Sequence, residues 1–123
     1  MFKQGDIIKF DFEPSIGHEQ GGYRPALVIS KELFCKSTKQ IMVCPITTKK
    51  KRFFPFRVEL NKKTSTKGYV ICDYVKTIDV NARTPKFIER VEEHILDKVL
   101  AIVHSFTEKE PFTDNPTGGG KNT

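Results

Sequence analysis

Alternation of apolar and polar side chains predicts strands in the first half of the chain. Positions 8, 10 and 12 are apolar and positions 9 and 11 are charged, which is the period of two expected for a half-buried strand. Two continuous apolar runs, at 25–29 and 41–46, are typical of strands buried on both faces. Pro45 lies inside the second run and predicts a sheet edge or a bulge near its end, because proline has no N–H to donate.

Further strand patterns and one helix follow. Segment 54–60 is apolar at every second position, the clearest strand pattern in the chain, and segment 68–75 is also strand-like. Residues 31–36 predict one helical turn or a loop. From Glu92 onward, apolar residues recur at 95, 99, 102 and 106, which predicts an amphipathic helix. These elements predict a mainly β (α+β) fold, a small antiparallel barrel or sandwich flanked by the final helix.

The length of the chain, 123 residues, supports a single domain. We expect this domain to span 1–106. The tail 107–123, with two prolines and three consecutive glycines, is expected to be disordered. No apolar run approaches the roughly 20 residues that span a bilayer, and the sequence does not open with a secretory signal. A membrane partner is therefore not expected.

Cysteine usage points to a reducing compartment. The three cysteines, Cys35, Cys44 and Cys72, are odd in number and lack the spacing of metal ligands. They predict free, buried thiols in a cytoplasmic protein that has no metal site and no cofactor.

The chain carries a net charge of +6, and the basic residues are concentrated in one segment. Residues 36–67 hold ten basic side chains against one acid, Glu59, so this segment has a charge of +9 and the rest of the chain −3. Such a segment favours a polyanionic partner. The alternative is a solvated surface that only keeps the protein soluble.

The densest polar cluster is segment 17–25, Gly-His-Glu-Gln-Gly-Gly-Tyr-Arg-Pro. Its glycines allow the backbone to approach a ligand closely or to adopt positive φ. A bend at 21–22 would bring Glu19 and Arg24 onto one phosphate-sized target, and the planar guanidinium of Arg24 fits a phosphate with two parallel hydrogen bonds. Alternatively, Glu19 and Arg24 pair with each other and fix the loop.

A second cluster, made of Thr47, Thr48, Lys49 and Lys50, lies at the end of a predicted buried strand and continues into two more cations. Hydroxyls beside cations are suited to contacting a phosphate backbone, and the alternative is a capped, exposed turn. Asp73 interrupts an apolar segment. It is either hydrogen-bonded within the fold or directed into a site.

Together these motifs resemble the MazF/PemK toxins of toxin–antitoxin systems. The motifs are, in chain order, Gly5-Asp6-Ile7, segment 17–26, Pro45-Ile46-Thr47, Cys72-Asp73, Lys76-Thr77-Ile78-Asp79 and Ala82-Arg83. The similarity runs from about Gly5 to Phe106 in the same order and spacing. Its most specific part is the Glu-Gln-Gly-Gly-x-Arg-Pro block that begins at Glu19.

The resemblance implies an SH3-like antiparallel barrel with a C-terminal helix, which forms a homodimer. It implies a sequence-specific, metal-independent endoribonuclease that cleaves single-stranded mRNA and leaves a 2′,3′-cyclic phosphate and a 5′-hydroxyl. It also implies a cognate antitoxin protein, which lays a largely acidic segment across the toxin dimer, and DNA binding by the toxin together with that antitoxin.

Carried over residue by residue, the resemblance gives catalytic roles to Arg24, Thr47 and Glu19. Some relatives also use the residues that match His18 and Asp73. A second arginine of at least one relative corresponds to Ile71 here, which puts any mechanism that needs it in doubt. The residues expected to bind the substrate are His18, Gln20, Thr48, Lys49, Lys50 and Asp73.

RNA carries its own nucleophile, the 2′-hydroxyl, so its cleavage does not require a metal-bound water. The sequence has no clustered carboxylates of the kind that hold magnesium. Arg24 is expected to stabilise charge on the phosphorane, and Thr47 to hold a phosphate oxygen. Glu19 is favoured as the acid–base group or its organiser, and His18 is the alternative base, since nearby cations favour an ionised glutamate and a neutral histidine.

Two other functions stay open on the sequence alone. A gyrase-binding toxin that resembles CcdB would share the barrel but would not need Arg24 or a basic groove. A non-catalytic RNA-binding barrel would bind RNA with a steep salt dependence and would show no turnover.

Overall fold

The computed structural model describes residues 1–12, 22–50 and 55–112. In chain order, its helices and strands are β1 (Asp6–Asp11), β2 (Tyr23–Val28), α1 (Glu32–Thr38), β3 (Gln40–Thr47), β4 (Arg57–Glu59), β5 (Tyr69–Ile71), β6 (Lys76–Asp79), α2 (Val80–Arg83), β7 (Lys86–Arg90) and α3 (Glu93–Ser105). A search of these helices finds none with the length and apolar character needed to cross a membrane.

The seven described strands form one antiparallel sheet. Their order is β4-β5-β3-β2-β1-β7, and β6 pairs with β3 outside this path. The first half of β3, from Gln40, pairs with β6, and its last two residues, Ile46 and Thr47, pair with β5. The predicted mainly β fold with a C-terminal helix is confirmed.

The period of two in the strands divides the core into two clusters, one on each face of the sheet. The first, which we call the α3 face, includes Ile7, Leu27, Cys44, Ile46, Val58 and Val70 of the strands with Ile95 and Val99 of α3. The second, which we call the Phe10 face, includes Ile8, Phe10, Ala26, Val28, Val43 and Ile78 with Cys35 of α1. Neighbouring residues of one strand therefore serve opposite faces.

The described strands form an open path, and side chains join its two ends. Glu89 of β7 accepts hydrogen bonds from the backbone N and hydroxyl of Ser65, both at 3.0 Å, and from those of Thr66, at 2.7 and 2.6 Å. Nearby, Asn61 Nδ2 donates to Glu92 Oε1 at 2.7 Å. Since Asn61, Ser65 and Thr66 all lie between β4 and β5, these contacts hold that hairpin against β7.

Pro45, where the sequence predicts a sheet edge or a bulge near the end of the strand, is the last residue of β3 that pairs with β2. Pro45 is buried and pairs with Ala26 in an unbroken register with β2. On its other side, β3 changes partner from β6, which ends opposite Val43, to β5, which begins opposite Ile46. A residue without an N–H is tolerated inside the sheet here, because neither β5 nor β6 pairs with it.

Two predicted strands are shorter than their patterns suggest. In segment 54–60, only Arg57–Glu59 forms a strand; Phe54 lies outside the described residues. Phe56 is in a turn, where its ring packs edge-on against Phe106 with the centroids 4.9 Å apart. In segment 68–75, the strand ends at Ile71 and a turn follows. Backbone hydrogen bonds from Cys72 N to Phe56 O and from Leu60 N to Gly68 O, both 2.9 Å, extend the pairing of β4 with β5 by one residue at each end.

Candidate functional site

The register of the sheet brings Arg24 and Thr47 together at one end of the Phe10 face. Arg24 of β2 pairs with Phe10 of β1, and β2 pairs with β3 through Ala26 and Pro45. Ala26 and Pro45 are the last pair of this register; Arg24 lies two residues beyond it on β2 and Thr47 two residues beyond it on β3, so both lie at the same end of the two strands. Alternation puts both side chains on the Phe10 face, since Val28 and Val43 of the same strands lie in that cluster.

Thr47 is fixed at the end of β3. Its residue exposure is 3%, and its Oγ1 accepts a hydrogen bond from Lys49 N at 3.2 Å. This short turn directs Thr48, Lys49 and Lys50 outward, and all three are exposed. Arg24 is half-buried. A guanidinium, a hydroxyl and exposed ammonium groups at one sheet end are the donors that bind a phosphate.

Arg57 fixes the chain after Thr47 from β4, which lies beyond β5 in the sheet. Its Nη1 donates to the carbonyl oxygen of Lys49 at 2.8 Å, and the residue is half-buried. From the sequence alone, Arg57 is only one of the ten basic residues of segment 36–67. In the fold it positions the turn that carries Lys49 and Lys50.

Gly68 supports Thr47 from the start of β5. Its φ is +124°, and a Cβ on it would lie 2.3 Å from the carbonyl oxygen of Thr47 and 3.3 Å from Cα of Thr48. Both the positive φ and this close approach require glycine. No motif in the sequence marks Gly68 as part of the site. Its place directly after the polar turn 61–67 and before an apolar run was the available signal.

His18, Glu19 and Gln20 lie outside the described residues. The described chain stops at Phe12 and resumes at Gly22, where Phe12 N donates to Gly22 O at 2.8 Å. This closing pair is two residues beyond the pair of Phe10 and Arg24. The segment that contains the three predicted residues therefore leaves and rejoins the sheet at the end where Thr47 lies.

Asp73 is separated from Arg24 and Thr47 by the length of β5. Thr47 pairs with Tyr69 at the start of β5, whereas Asp73 lies in the turn after Ile71 and is exposed. The extended part, Tyr69–Ile71, measures about 7 Å, and Asp73 lies two residues further along in the turn. Among the described members of the predicted set, the sheet register therefore gathers Arg24, Thr47 and the turn after Thr47, and leaves Asp73 at the other end of β5.

Two buried thiols lie behind this site on the α3 face. Burial raises the pKa of Cys44 to about 12, and Cys72 and Asp73 add to that rise through their negative charge. Burial, followed by the charge of Asp73, raises the pKa of Cys72 to about 12 as well. Free, buried thiols are thus what the fold contains. Within 1–12, 22–50 and 55–112, no three His, Cys, Asp or Glu side chains cluster closely enough to hold a metal ion.

Residues 3–107 match the family described as PemK-like, MazF-like toxin of type II toxin–antitoxin system. The chain is 38% identical over 101 residues to endoribonuclease PemK of Escherichia coli, covering 80% of this chain and 76% of the relative. It is 32% identical over 103 residues to endoribonuclease EndoA of Bacillus subtilis, covering 80% of this chain and 88% of the relative.

Solved structures show the same fold. The crystal structure of MazF from Deinococcus radiodurans superposes with a TM-score of 0.79 at 29% identity, covering 87% of this chain and 96% of that chain. A crystal structure of MazE-MazF from the same organism gives a TM-score of 0.76 at 27% identity, covering 88% and 97%.

Proposed function

This chain belongs to the PemK-like, MazF-like toxins of type II toxin–antitoxin systems, and from that premise we propose that it cleaves single-stranded mRNA at specific sequences without a metal. It is an endoribonuclease, as its curated relatives are. The observation that carries the finer proposal is that Arg24 of β2 and Thr47 of β3 lie at the same end of their paired strands and on the same face, with Thr47 inside the basic segment.

In the proposed reaction, the 2′-hydroxyl of the substrate attacks the adjacent phosphorus. A 2′-O–P bond forms and the P–O5′ bond breaks, which leaves a 2′,3′-cyclic phosphate and a 5′-hydroxyl. Arg24 donates hydrogen bonds to the phosphorane oxygens, whose negative charge is greatest in the transition state. Thr47 holds a phosphate oxygen, and the rigid turn behind it limits its motion.

The proton of the 2′-hydroxyl passes to a base in segment 13–21, and a proton reaches the departing 5′-oxygen. We assign this acid–base role to Glu19, with His18 as the alternative. Gln20, Thr48, Lys49, Lys50 and Asp73 are proposed to contact the RNA. The exposure of Lys49 and Lys50 supports a role in contacting the phosphate backbone beyond Thr47.

The partners of this protein follow from its family. A cognate antitoxin binds toxins of this class, as the MazE-MazF complex illustrates for a relative. We propose that the antitoxin covers the RNA groove, that the pair binds DNA, and that the toxin acts in the cytoplasm as a homodimer. Exposed Phe87 and Ile88 on β7, a strand that pairs only with β1 among the described strands, support a protein interface on that edge.

The cleavage test uses a long single-stranded RNA and purified protein in excess EDTA. We expect a small set of discrete cuts, and 5′ ends that a kinase phosphorylates without prior phosphatase treatment. Arg24→Ala should reduce the rate by about a hundredfold to a thousandfold, as is typical for the loss of one preorganised donor. Lys98→Ala is the matched control, because it removes one charge from exposed α3 on the other face of the sheet.

Three results would count against the proposal. Cuts that disappear in EDTA would contradict the metal-independent chemistry. Tight, salt-sensitive RNA binding without cuts would favour a non-catalytic barrel, and capture of gyrase without cuts would favour a CcdB-like toxin.

The dimer is tested separately by light scattering, where Phe87→Ser should lower the measured mass if β7 forms the interface.

A further inference from the structure

A single cross-strand row on the Phe10 face continues from Arg24 and Thr47 to an aromatic ring. Thr47 of β3 is the direct partner of Tyr69 in β5. The neighbours of Tyr69 show which face it serves: Val70 and Cys72 lie in the α3-face cluster. Tyr69 therefore faces the opposite side, the same side as Arg24 and Thr47.

The Tyr69 side chain is available at that place. The residue is half-buried, and no hydrogen bond or ring contact within residues 1–12, 22–50 and 55–112 engages its hydroxyl or ring. Half-buried tyrosines usually use their hydroxyl or their ring in some contact. The two backbone neighbours of this ring are fixed, because Gly68 abuts Thr47 and Val70 is fully buried.

The distances between Tyr69 and the two proposed phosphate-binding residues, Thr47 and Arg24, are compatible with one nucleotide step along a single strand. Adjacent strands lie about 4.8 Å apart, so Tyr69 is one strand from Thr47 and two from Arg24, or about 10 Å from the latter. A phosphate held between Arg24 and Thr47 would carry its adjoining base over the next strand. Aromatic rings on a sheet surface beside a cationic track are the usual platform for bases of a single strand.

We propose that Tyr69 is a base-binding residue, whose ring stacks on the nucleobase adjoining the scissile phosphate and helps to select where the strand is cut. This inference rests on the proposed function, because it places the scissile phosphate at Arg24 and Thr47. It assigns Tyr69 no part in proton transfer. Stacking positions the nucleotide, so the effect belongs to binding and site choice.

The composition of the protein provides a direct readout. The chain has three tyrosines and no tryptophan, so its intrinsic fluorescence reports tyrosine alone. Single-stranded DNA oligonucleotides serve as a probe that cannot be cut by this chemistry, since they lack the 2′-hydroxyl. We expect them to quench wild-type fluorescence, and Tyr69→Phe to remove most of that quenching while it keeps the affinity.

Tyr69→Leu removes the aromatic face but retains an apolar side chain of similar bulk. We expect it to weaken oligonucleotide binding by about tenfold, to raise KM for RNA more than it lowers kcat, and to change the preferred base beside the cut on a mapped transcript. Phe112→Leu is the control, because Phe112 is 88% exposed and lies beyond α3, so its loss should change neither binding nor the cuts.

The outcomes separate this inference from the proposed function. If the wild type cleaves RNA and Tyr69→Leu has the same affinity, KM and cut sites as the wild type, the role of Tyr69 is overturned and the proposed function is not. Quenching that depends on Tyr69, in a wild-type protein that cuts no RNA, would support the base platform and overturn the nuclease proposal. Absence of any binding to RNA or DNA by folded wild-type protein would overturn both. Thermal unfolding of each variant verifies that it is folded.

Discussion

The backbone of Gly68 lies directly against the carbonyl of Thr47. A Cβ at position 68 would be 2.3 Å from that oxygen and 2.9 Å from its carbon, well inside the contact distance of any two such atoms. Thr47 in turn ends β3, where its buried hydroxyl accepts a hydrogen bond from Lys49 N. The absence of a side chain at Gly68 therefore allows the backbone position of Thr47, a residue proposed to bind a phosphate oxygen.

Gly68→Ala should displace Thr47. The added methyl group cannot fit without movement of the backbone, and φ of +124° is strained for alanine. We expect cleavage to fall by at least tenfold and the free energy of unfolding to drop by about 2 kcal/mol. Chemical denaturation and the rate of cleavage of one RNA measure the two effects.

The control for this change is Gly5→Ala. Gly5 also has a positive φ, +92°, but a Cβ there would meet only side chains at 3.7 Å or more. Its loss should lower stability and leave the activity of the folded fraction intact. Equal activity per folded molecule in Gly68→Ala and wild type would contradict the dependence of Thr47 on Gly68.

Arg57→Met tests the positioning of the turn after Thr47. The change removes the hydrogen bond of 2.8 Å to the carbonyl of Lys49, and hydrogen bonds to charged donors contribute about 1.5–3 kcal/mol. We expect a lower melting temperature and slower cleavage. Lys63→Met removes the same charge from an exposed position in the same basic segment. An equal loss of cleavage in both variants would mean that only the charge of Arg57 matters.

The thiols of Cys44 and Cys72 should be inert in the folded protein. Since burial raises both pKa values from 9.0 to about 12, the thiolate population below pH 9 is roughly a thousandfold smaller than that of an exposed cysteine. A chromogenic disulfide at pH 8 should react with these two only after addition of denaturant. Rapid reaction of either in native protein would contradict their burial.

The raised pKa values of Cys44 and Cys72 also predict how the stability of the protein changes at alkaline pH. A thiol whose pKa is raised by folding stabilises the protein fully below the unfolded value of about 9, and that contribution is lost as the pH rises toward about 12. The free energy of unfolding should therefore decline above pH 9, and less so in Cys44→Ala once its lower starting stability is taken into account.

We expect the hydrogen bonds that join the two ends of the sheet to weaken at acidic pH, because the carboxylate of Glu89 accepts them. Its partial burial would raise its pKa, but hydrogen bonds from Thr66 and Ser65 outweigh this and lower the pKa from 4.5 to about 2. The stabilisation is therefore present above pH 4.5 and is lost as the pH falls toward 2. Allowing for solvent screening, we expect Glu89→Gln to cost about 1 kcal/mol at pH 7.

Urea unfolding at pH 7 and at pH 3 measures this difference. The gap between wild type and Glu89→Gln should narrow at the lower pH, because at pH 3 the carboxylate of the unfolded chain, with a pKa of 4.5, is protonated, so unfolding takes up a proton. Glu110→Gln, at an exposed position after α3, should differ little from wild type at both values. A gap that is the same at pH 7 and pH 3 would show that the charge of Glu89 does not contribute.

Many of the strands, the C-terminal helix and part of the candidate site are predictable from the sequence, because they depend on local patterns of residues. The alternation at 8–12 and the run at 25–29 correspond to β1 and β2, and the apolar positions from Ile95 onward correspond to α3. Arg24 and Thr47 were predicted as site residues from their residue types, their neighbours and the family resemblance. The roles of the residues in segment 13–21 stay predictions, since they lie outside the described part of the chain.

What the sequence by itself determined is the identity of the elements and the kind of chemistry, because side-chain periodicity and donor type are properties of short segments. Only the tertiary structure decided which distant residues meet. The pairing of β2 with β3 brings Arg24 and Thr47 to the same end of the sheet, the pairing of β3 with β5 places Tyr69 opposite Thr47, and Gly68 permits the close approach of β5 to Thr47. Pairing between strands far apart in the chain is set by packing of the whole core, so no single segment encodes it.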